Sequence, residues 1–252
     1  MIEIDDFELI NYIWTGLAIT VFLALVIFKI KSPYGRHTNK NWGPMISNKW
    51  GWFIMELPAL IIMPLITLIG PTEKTELTYF LVFLWVLHYF NRTLIFPFKL
   101  KTKNKKMPII IVGSAIFFNS INGFLNGYFL GYLNAGDSSI YSINVVIGLL
   151  IFSIGMYINK TSDKHLISLR SNNENYQIPF GGLFKYISCP NHFGEVLEWA
   201  GFMIIAWSLP SLTFAIWTFC NLTPRSLNHH SWYKEKFEDY PKKRKAILPF
   251  IL

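Results

Sequence analysis

Glu56, Tyr89 and Arg92 lie within stretches that are otherwise apolar, "WFIMELPAL" and "FLVFLWVLHYFNRTLIFPF". A charged group in such a setting is costly unless a partner or a polar cavity receives it. Glu56 and Arg92 each lie about six residues from one end of their stretch, roughly 9 Å along a helix. Tyr89 is one turn further along on the face of Arg92, because residues i and i+3 are helix neighbours. A phenol beside a carboxyl group can donate a hydrogen bond to a ligand oxygen, and such a pair stabilises negative charge growing on a carbonyl. Asn119, Asn122 and Asn126 line one face of another apolar stretch, and Glu195 and Glu198 stand near the start of the last one. The asparagines serve equally well as glue between helices or as part of a polar cavity.

The elements that must hold these groups are membrane helices. Of 252 residues, 52% are hydrophobic, 17% aromatic and only 15% charged, too apolar for an ordinary soluble domain. Runs at 9–29, 51–70, 77–98, 108–131 and 140–158 reach the length, about 18 residues, that argues for a transmembrane helix. A last block, 194–223, has Pro210 near its middle and basic segments on both sides. An even number of crossings keeps both segments on one face, so the block reads as a hairpin broken at Leu209-Pro210. The expected fold is an all-α membrane protein, a seven-transmembrane helical bundle forming a single polytopic domain over 1–252. Gly123, Gly127 and Gly131 form a double GxxxG, expected to pack helices closely within that bundle.

The net charge of +8 could suggest nucleic acid, but its distribution follows the membrane. Of 23 Lys and Arg residues, 21 fall in 29–50, 99–106, 160–185 and 225–245. Acidic residues Glu3, Asp5, Asp6, Glu8, Glu73, Glu76 and Asp137 occupy the alternate loops. By the positive-inside pattern the N-terminus is outside and the C-terminus cytosolic, in a multi-pass protein of the endoplasmic reticulum or a bacterial inner membrane. The acidic start lacks the basic segment of a cleaved signal peptide. Cys189 and Cys220 have no metal-type spacing, and no disulfide is expected between them.

The basic segments could also bind a ligand. "NKTSDKHLISLR", "FGGLFKYISCPNHFGE" and "TPRSLNHHSWYKEKFEDYPKKRK" combine Arg, Asn, Tyr and His in a way that suits a phosphate-rich aromatic cofactor. Topology alone would make such loops basic, so both readings stand on composition. No GxGxxG or P-loop is present, which excludes the usual dinucleotide and kinase-like sites. The six histidines lack HxxxH and HxxHH spacing, which argues against di-iron chemistry, and no metal is expected.

"IPFGGLFKYISCPNHFGEVLEWAGF", "WSLPSLTFAIWTFC" and "HHSWYKEKFEDYPKKRKAILPFIL" resemble the C-terminal half of the steroid 5α-reductases. The resemblance continues upstream through "YFNRT", "NGFLNGYFLGY", "GMYINKTSD" and, more loosely, "YGRHT" and "WFIMELPAL", covering roughly 34–252. It implies an integral membrane oxidoreductase of lipid metabolism that uses NADPH to reduce the C4–C5 double bond of 3-oxo-Δ4-steroids. It further implies that Glu56 and Tyr89 are catalytic and hold the 3-keto oxygen while hydride reaches the enone β-carbon. The positions matching the family's cofactor contacts are Tyr34, Arg92, Asn159, Asp163, Arg170, Tyr176, Asn191, Glu195, Arg225, His229 and Tyr233. Lys101 and Lys103 stand where mammalian relatives have arginines, and Met55 stands where they have a glutamine. The partners implied are a small apolar enone, such as testosterone or progesterone, and the bilayer, with the chain as a monomer. Alternatives are a trans-2-enoyl-CoA reductase of the same superfamily, a membrane methyltransferase of the isoprenylcysteine type, and a non-catalytic sterol-binding protein.

Overall fold

The structure, a computed structural model, describes residues 2–33, 35–100, 105–134, 139–172 and 176–252. Seven long helices occur among them: α1 Ile4–Ile27, α2 Asn48–Ile69, α3 Glu76–Lys99, α4 Ile109–Leu133, α5 Ile143–Asn172, α6 Pro190–Ala206 and α7 Leu209–Lys236. The chain is thus mostly helical, and five of these helices, α1 to α5, are long and apolar enough to cross a membrane. Large apolar side chains such as Ile13, Phe83, Phe117 and Leu150 are exposed along them, as befits helices that face lipid. The chain forms two compact units, one of 1–12, 32–146 and 205–211, the other of 13–31, 147–204 and 212–252.

In the first unit a short antiparallel ribbon, β1 Met45–Ser47 with β2 Lys106–Pro108, precedes α2 and α4. Ile46 faces Met107 in its register. The ribbon brings the starts of these two helices together, a small sheet that an all-helical expectation did not include. From there α4 lies parallel to α2 along its glycine face. A Cβ added to Gly123 would meet Ile62, one on Gly127 would stand 2.8 Å from Met63 O, and one on Gly131 would stand 2.6 Å from Ile66 O. Only hydrogen at these positions lets two backbones approach so closely. The double GxxxG is therefore a seam within the chain.

α3 runs antiparallel to α2. Trp85 Nε1 donates to Ala59 O at 2.8 Å, and the Arg92 guanidinium lies 5.4 Å from the Trp52 ring centroid. Asn91–Ile95 winds as a π turn inside α3, a one-residue widening of the kind that often accompanies functional positions.

In the second unit α5 and α6 cross closely and antiparallel. A Cβ on Gly194 would stand 2.6 Å from Gly155 O, and one on Gly201 would stand 2.6 Å from Gly148 O. α6 and α7 form an antiparallel hairpin, with Trp199 edge-on to Phe214 at 4.5 Å and His192 bonded to Ser226 at 2.8 Å. The chain breaks at Trp207, whose φ is 43°, two residues before the expected Leu209-Pro210. Pro210 sits in the first turn of α7, where its missing N–H costs nothing, and Ser211 Oγ bonds back to Ser208 O.

Two expected loops are helical. Residues 159–170 continue α5 beyond the apolar stretch, because they contain no Gly or Pro and keep helical spacing of their small and apolar residues. Arg225, His229 and Tyr233 likewise belong to α7, which absorbs Pro224 and runs to Lys236. Beyond it the C-terminal segment is laced to 186–189: Ser188 N donates to Lys245 O at 2.8 Å and Cys189 N to Ala246 O at 3.1 Å. Ser188 Oγ bonds to Lys245 O, Tyr240 OH and His230 Nδ1. Its single hydrogen goes to the carbonyl, so the phenol and the imidazole N–H both donate to it. Burial, helped by the charges of Lys234, Lys245 and Arg244, lowers the His230 pKa to about 4, while burial raises that of Tyr240.

Two measurements check this packing. Gly127→Val forces α4 off α2 and is expected to cost about 1–3 kcal/mol, read as a lower Tm in detergent. His230 is near 4 when folded and about 6.5 when unfolded, so its contribution to stability is complete above pH 6.5 and is lost as pH falls toward 4. The Tm of the wild type should fall across that window more steeply than that of His230→Gln.

Candidate active site

Pro58 and Pro64 interrupt α2 from within. A proline ring crowds the preceding turn and loosens its carbonyls, so a helix carrying two of them needs outside donors. α4 provides one at Met55 O, in the turn before Pro58, and α3 adds a donor elsewhere on the helix. Trp85, fully buried, caps Ala59 O, and Asn119 Nδ2 donates to Met55 O at 2.6 Å. The same Nδ2 reaches Glu56 Oε2 at 3.2 Å. The carboxylate identified by its depth in the sequence is thus held across the α2–α4 seam.

The α2–α3 pairing sets the level of Tyr89. Ala59 meets Trp85 and Trp52 meets Arg92, so the antiparallel register sets Glu56 opposite His88, beside Tyr89. Tyr89 is 4% exposed. Its ring lies 5.1 Å from Trp85 and 5.0 Å from His88, edge-on to the latter. A buried phenol packed by two rings has little freedom to rotate. Arg92 lies in an aromatic clamp, 4.8 Å from Phe96 and 5.4 Å from Trp52, with those two rings edge-on to each other. Cation–π contact compensates a guanidinium where water is scarce.

The asparagine stripe divides. Asn122 Nδ2 turns back to Phe118 O and Asn126 Nδ2 to Asn122 O, each four residues earlier, while Asn126 also reaches Pro210 O at 3.5 Å. Among the three, Asn119 bonds to the carboxylate of Glu56. Helical spacing of 3 and 4, which puts all three on one face, carries no sign of that difference. Trp52 and Trp85 are further site residues that sequence reasoning missed, because tryptophans in apolar helices are ordinary.

In the second unit Asn159 and Asp163 on α5 face Asn191 and Glu195 on α6, each pair one turn apart. Asn159 Nδ2 donates to Asn191 O at 3.0 Å and to Glu195 Oε2 at 3.3 Å, and Asn191 Nδ2 donates to Asp163 Oδ1 at 3.1 Å. Gly155 and Gly194 make room for this lattice. At the far end of α5, Arg170 lies 5.5 Å from the Tyr176 ring, which in turn packs on Trp232. On α7, Arg225 is half-buried, and His229 is 5.8 Å from the His192 ring. Tyr233 is buried and stacks on Tyr240 at 5.3 Å. Glu198 is 1% exposed, on the part of α6 that packs against Gly155. Tyr34, Lys101 and Lys103 lie outside the described residues.

This donor set fits a dinucleotide chemically: two oriented carboxylates suit ribose hydroxyls, Arg170 suits a phosphate, and Tyr176 and Trp232 offer ring faces.

A family model described as 3-oxo-5-alpha-steroid 4-dehydrogenase matches residues 105–252. The chain is 36% identical to a steroid 5-alpha-reductase of Solanum lycopersicum, over 98% of this chain and 98% of that one. It is 36% identical to 3-oxo-5-alpha-steroid 4-dehydrogenase 1 of Bos taurus, over 97% and 96%. It is 37% identical to 3-oxo-5-alpha-steroid 4-dehydrogenase 2 of Macaca fascicularis, over 94% and 95%.

Proposed function

This chain belongs to the steroid 5α-reductase family, a family of oxidoreductases, and on that premise we propose that it reduces the C4–C5 double bond of 3-oxo-Δ4-steroids with NADPH. What supports the reading is the level shared by a carboxyl group and a phenol: the α2–α3 register sets Glu56 and Tyr89 at one level, at a depth where a carboxyl group alone would be costly.

When bound, NADPH supplies a hydride to the β-carbon of the enone. Tyr89 donates its O–H to the 3-keto oxygen, and Glu56 in its protonated form donates to the same atom. As the β-carbon gains the hydride, negative charge moves to that oxygen, where two fixed donors stabilise it without reorganising. The enolate then takes one proton from solvent at its α-carbon while Tyr89 and Glu56 keep theirs, so that hydride plus proton balance the reduction. Trp85 and His88 hold the phenol in place through their rings. Arg92, with its charge shared between Trp52 and Phe96, serves the cofactor side of the site. Asn159, Asp163, Asn191 and Glu195 hold ribose and amide groups, and Arg170, Arg225, Lys101 and Lys103 meet phosphates, with Tyr34, Tyr176, His229 and Tyr233 completing the cofactor site. In the membrane α6 and α7 make the sixth and seventh crossings, with the N-terminus outside and the C-terminus cytosolic, and the chain acts as a monomer.

The test is incubation of the purified protein with testosterone or progesterone and NADPH, scoring the 5α-product. Tyr89→Phe and Glu56→Leu are each expected to lose about 10²–10³ in kcat, the cost of one missing oxyanion donor, with helix content unchanged. Full turnover by either variant would sink the mechanism. Methyl transfer from S-adenosylmethionine in place of reduction would sink the function.

A further inference from the structure

Asn119 is 5% exposed and lies on a helix, α4, with no ionisable groups other than Tyr128 and Tyr132. Its amide nitrogen has two hydrogens and two acceptors, Met55 O at 2.6 Å and Glu56 Oε2 at 3.2 Å. The first bond ties the amide to the turn of α2 loosened by Pro58, which settles where the second hydrogen points. That second hydrogen fixes one of the two carboxyl oxygens of Glu56. A carboxyl group that must donate a proton in one direction needs its two oxygens told apart. An amide N–H on Oε2 favours the form in which Oε2 is the acceptor and Oε1 carries the hydrogen. A lysine or arginine at this position would hold the carboxylate ionised and remove the donor. A neutral amide orients the group and leaves its proton in place. The other ionisable groups brought to this level are His88, Tyr89 and Arg92 of α3.

We propose that Asn119 is the positioning residue of this site: it selects Oε1 of Glu56 as the proton-bearing oxygen presented to the carbonyl of the substrate. The proposal rests on the donor role assigned to Glu56 above. It makes the α2–α4 seam part of the catalytic apparatus, in the way a base in other enzymes is oriented by a third group.

Asn119→Leu keeps the size and removes both donors, and Asn119→Asp keeps the shape and donates only when protonated. Each is assayed in the full-length purified protein with testosterone and NADPH across pH. The Leu variant is expected to lose about 10- to 100-fold in kcat with KM little changed, the usual cost of an orienting partner. The Asp variant is expected to regain turnover as pH falls, because only the protonated acid can donate to Glu56. A second readout needs no turnover. The infrared carbonyl band of protonated Glu56, identified by its loss in Glu56→Gln, should move to higher frequency in the Leu variant as its hydrogen bond disappears. An unmoved band, or an Asp variant whose loss is the same at every pH, overturns the proposal, and should the Leu variant not fold, the Asp profile alone decides. Full turnover by Glu56→Leu would instead remove the role of Glu56, while the band shift still reports the Asn119 bond by itself.

Discussion

The site depends on how closely α4 approaches α2. Gly123, Gly127 and Gly131 offer no side chains, so the backbone of α4 lies against Met63 and Ile66 of its neighbour. A methyl group at the middle position would already stand 2.8 Å from a carbonyl oxygen. At that separation a side chain as short as asparagine can reach from one helix to the main chain of the other, and Asn119 does so one turn before the glycines begin. Were the helices spaced for leucines, at the usual 8–10 Å, Asn119 could not span both Met55 O and the Glu56 carboxyl group. The half-buried carboxyl group of Glu56 thus gains its Asn119 partner because the glycine face lets the helices come together.

The second unit applies the same arrangement to a larger polar set. Gly155 and Gly194 remove the side chains at the crossing of α5 and α6, and the pairs Asn159/Asp163 and Asn191/Glu195 meet in the room that results. Each amide there answers a carboxylate or a carbonyl of the facing helix, so the lattice is satisfied within the protein. Its carboxylates are held in fixed orientations, which is what a ligand with hydroxyl groups requires. Arg244 shows another treatment of buried charge: it is 3% exposed and lies 5.1 Å from each of the Phe180 and Tyr240 rings.

Much of this was legible in the residues. Hydropathy located the five long apolar helices to within a few residues at most ends, because membrane length is a constraint that composition expresses directly. Depth counting paired Glu56 with Tyr89 and Arg92, since a charged group in an apolar run has few explanations. The end of α5 was not legible. A switch from apolar to polar residues marks where lipid stops, and a helix has no reason to stop there unless glycine or proline intervenes. For the same reason 225–233 reads as a loop but continues α7. The break between α6 and α7 was placed at the proline, whereas Trp207 takes the strained backbone and Pro210 begins the next helix.

By itself the sequence determined that the chain is an integral membrane protein of mostly helical fold, that its glycine face packs within the chain, and that a carboxyl group and an arginine share one depth with a phenol one turn away. Hydrophobic length, residue volume and the cost of buried charge are properties of residue types and their spacing, so they survive without coordinates. Only the tertiary structure decided that Asn119 of the one-face asparagines crosses to Glu56, that the Arg92 guanidinium packs against Trp52 and Phe96, and that Trp85 caps Ala59. Those choices turn on register and on separations of a few ångströms between helices far apart in the chain, and no local pattern encodes a distance.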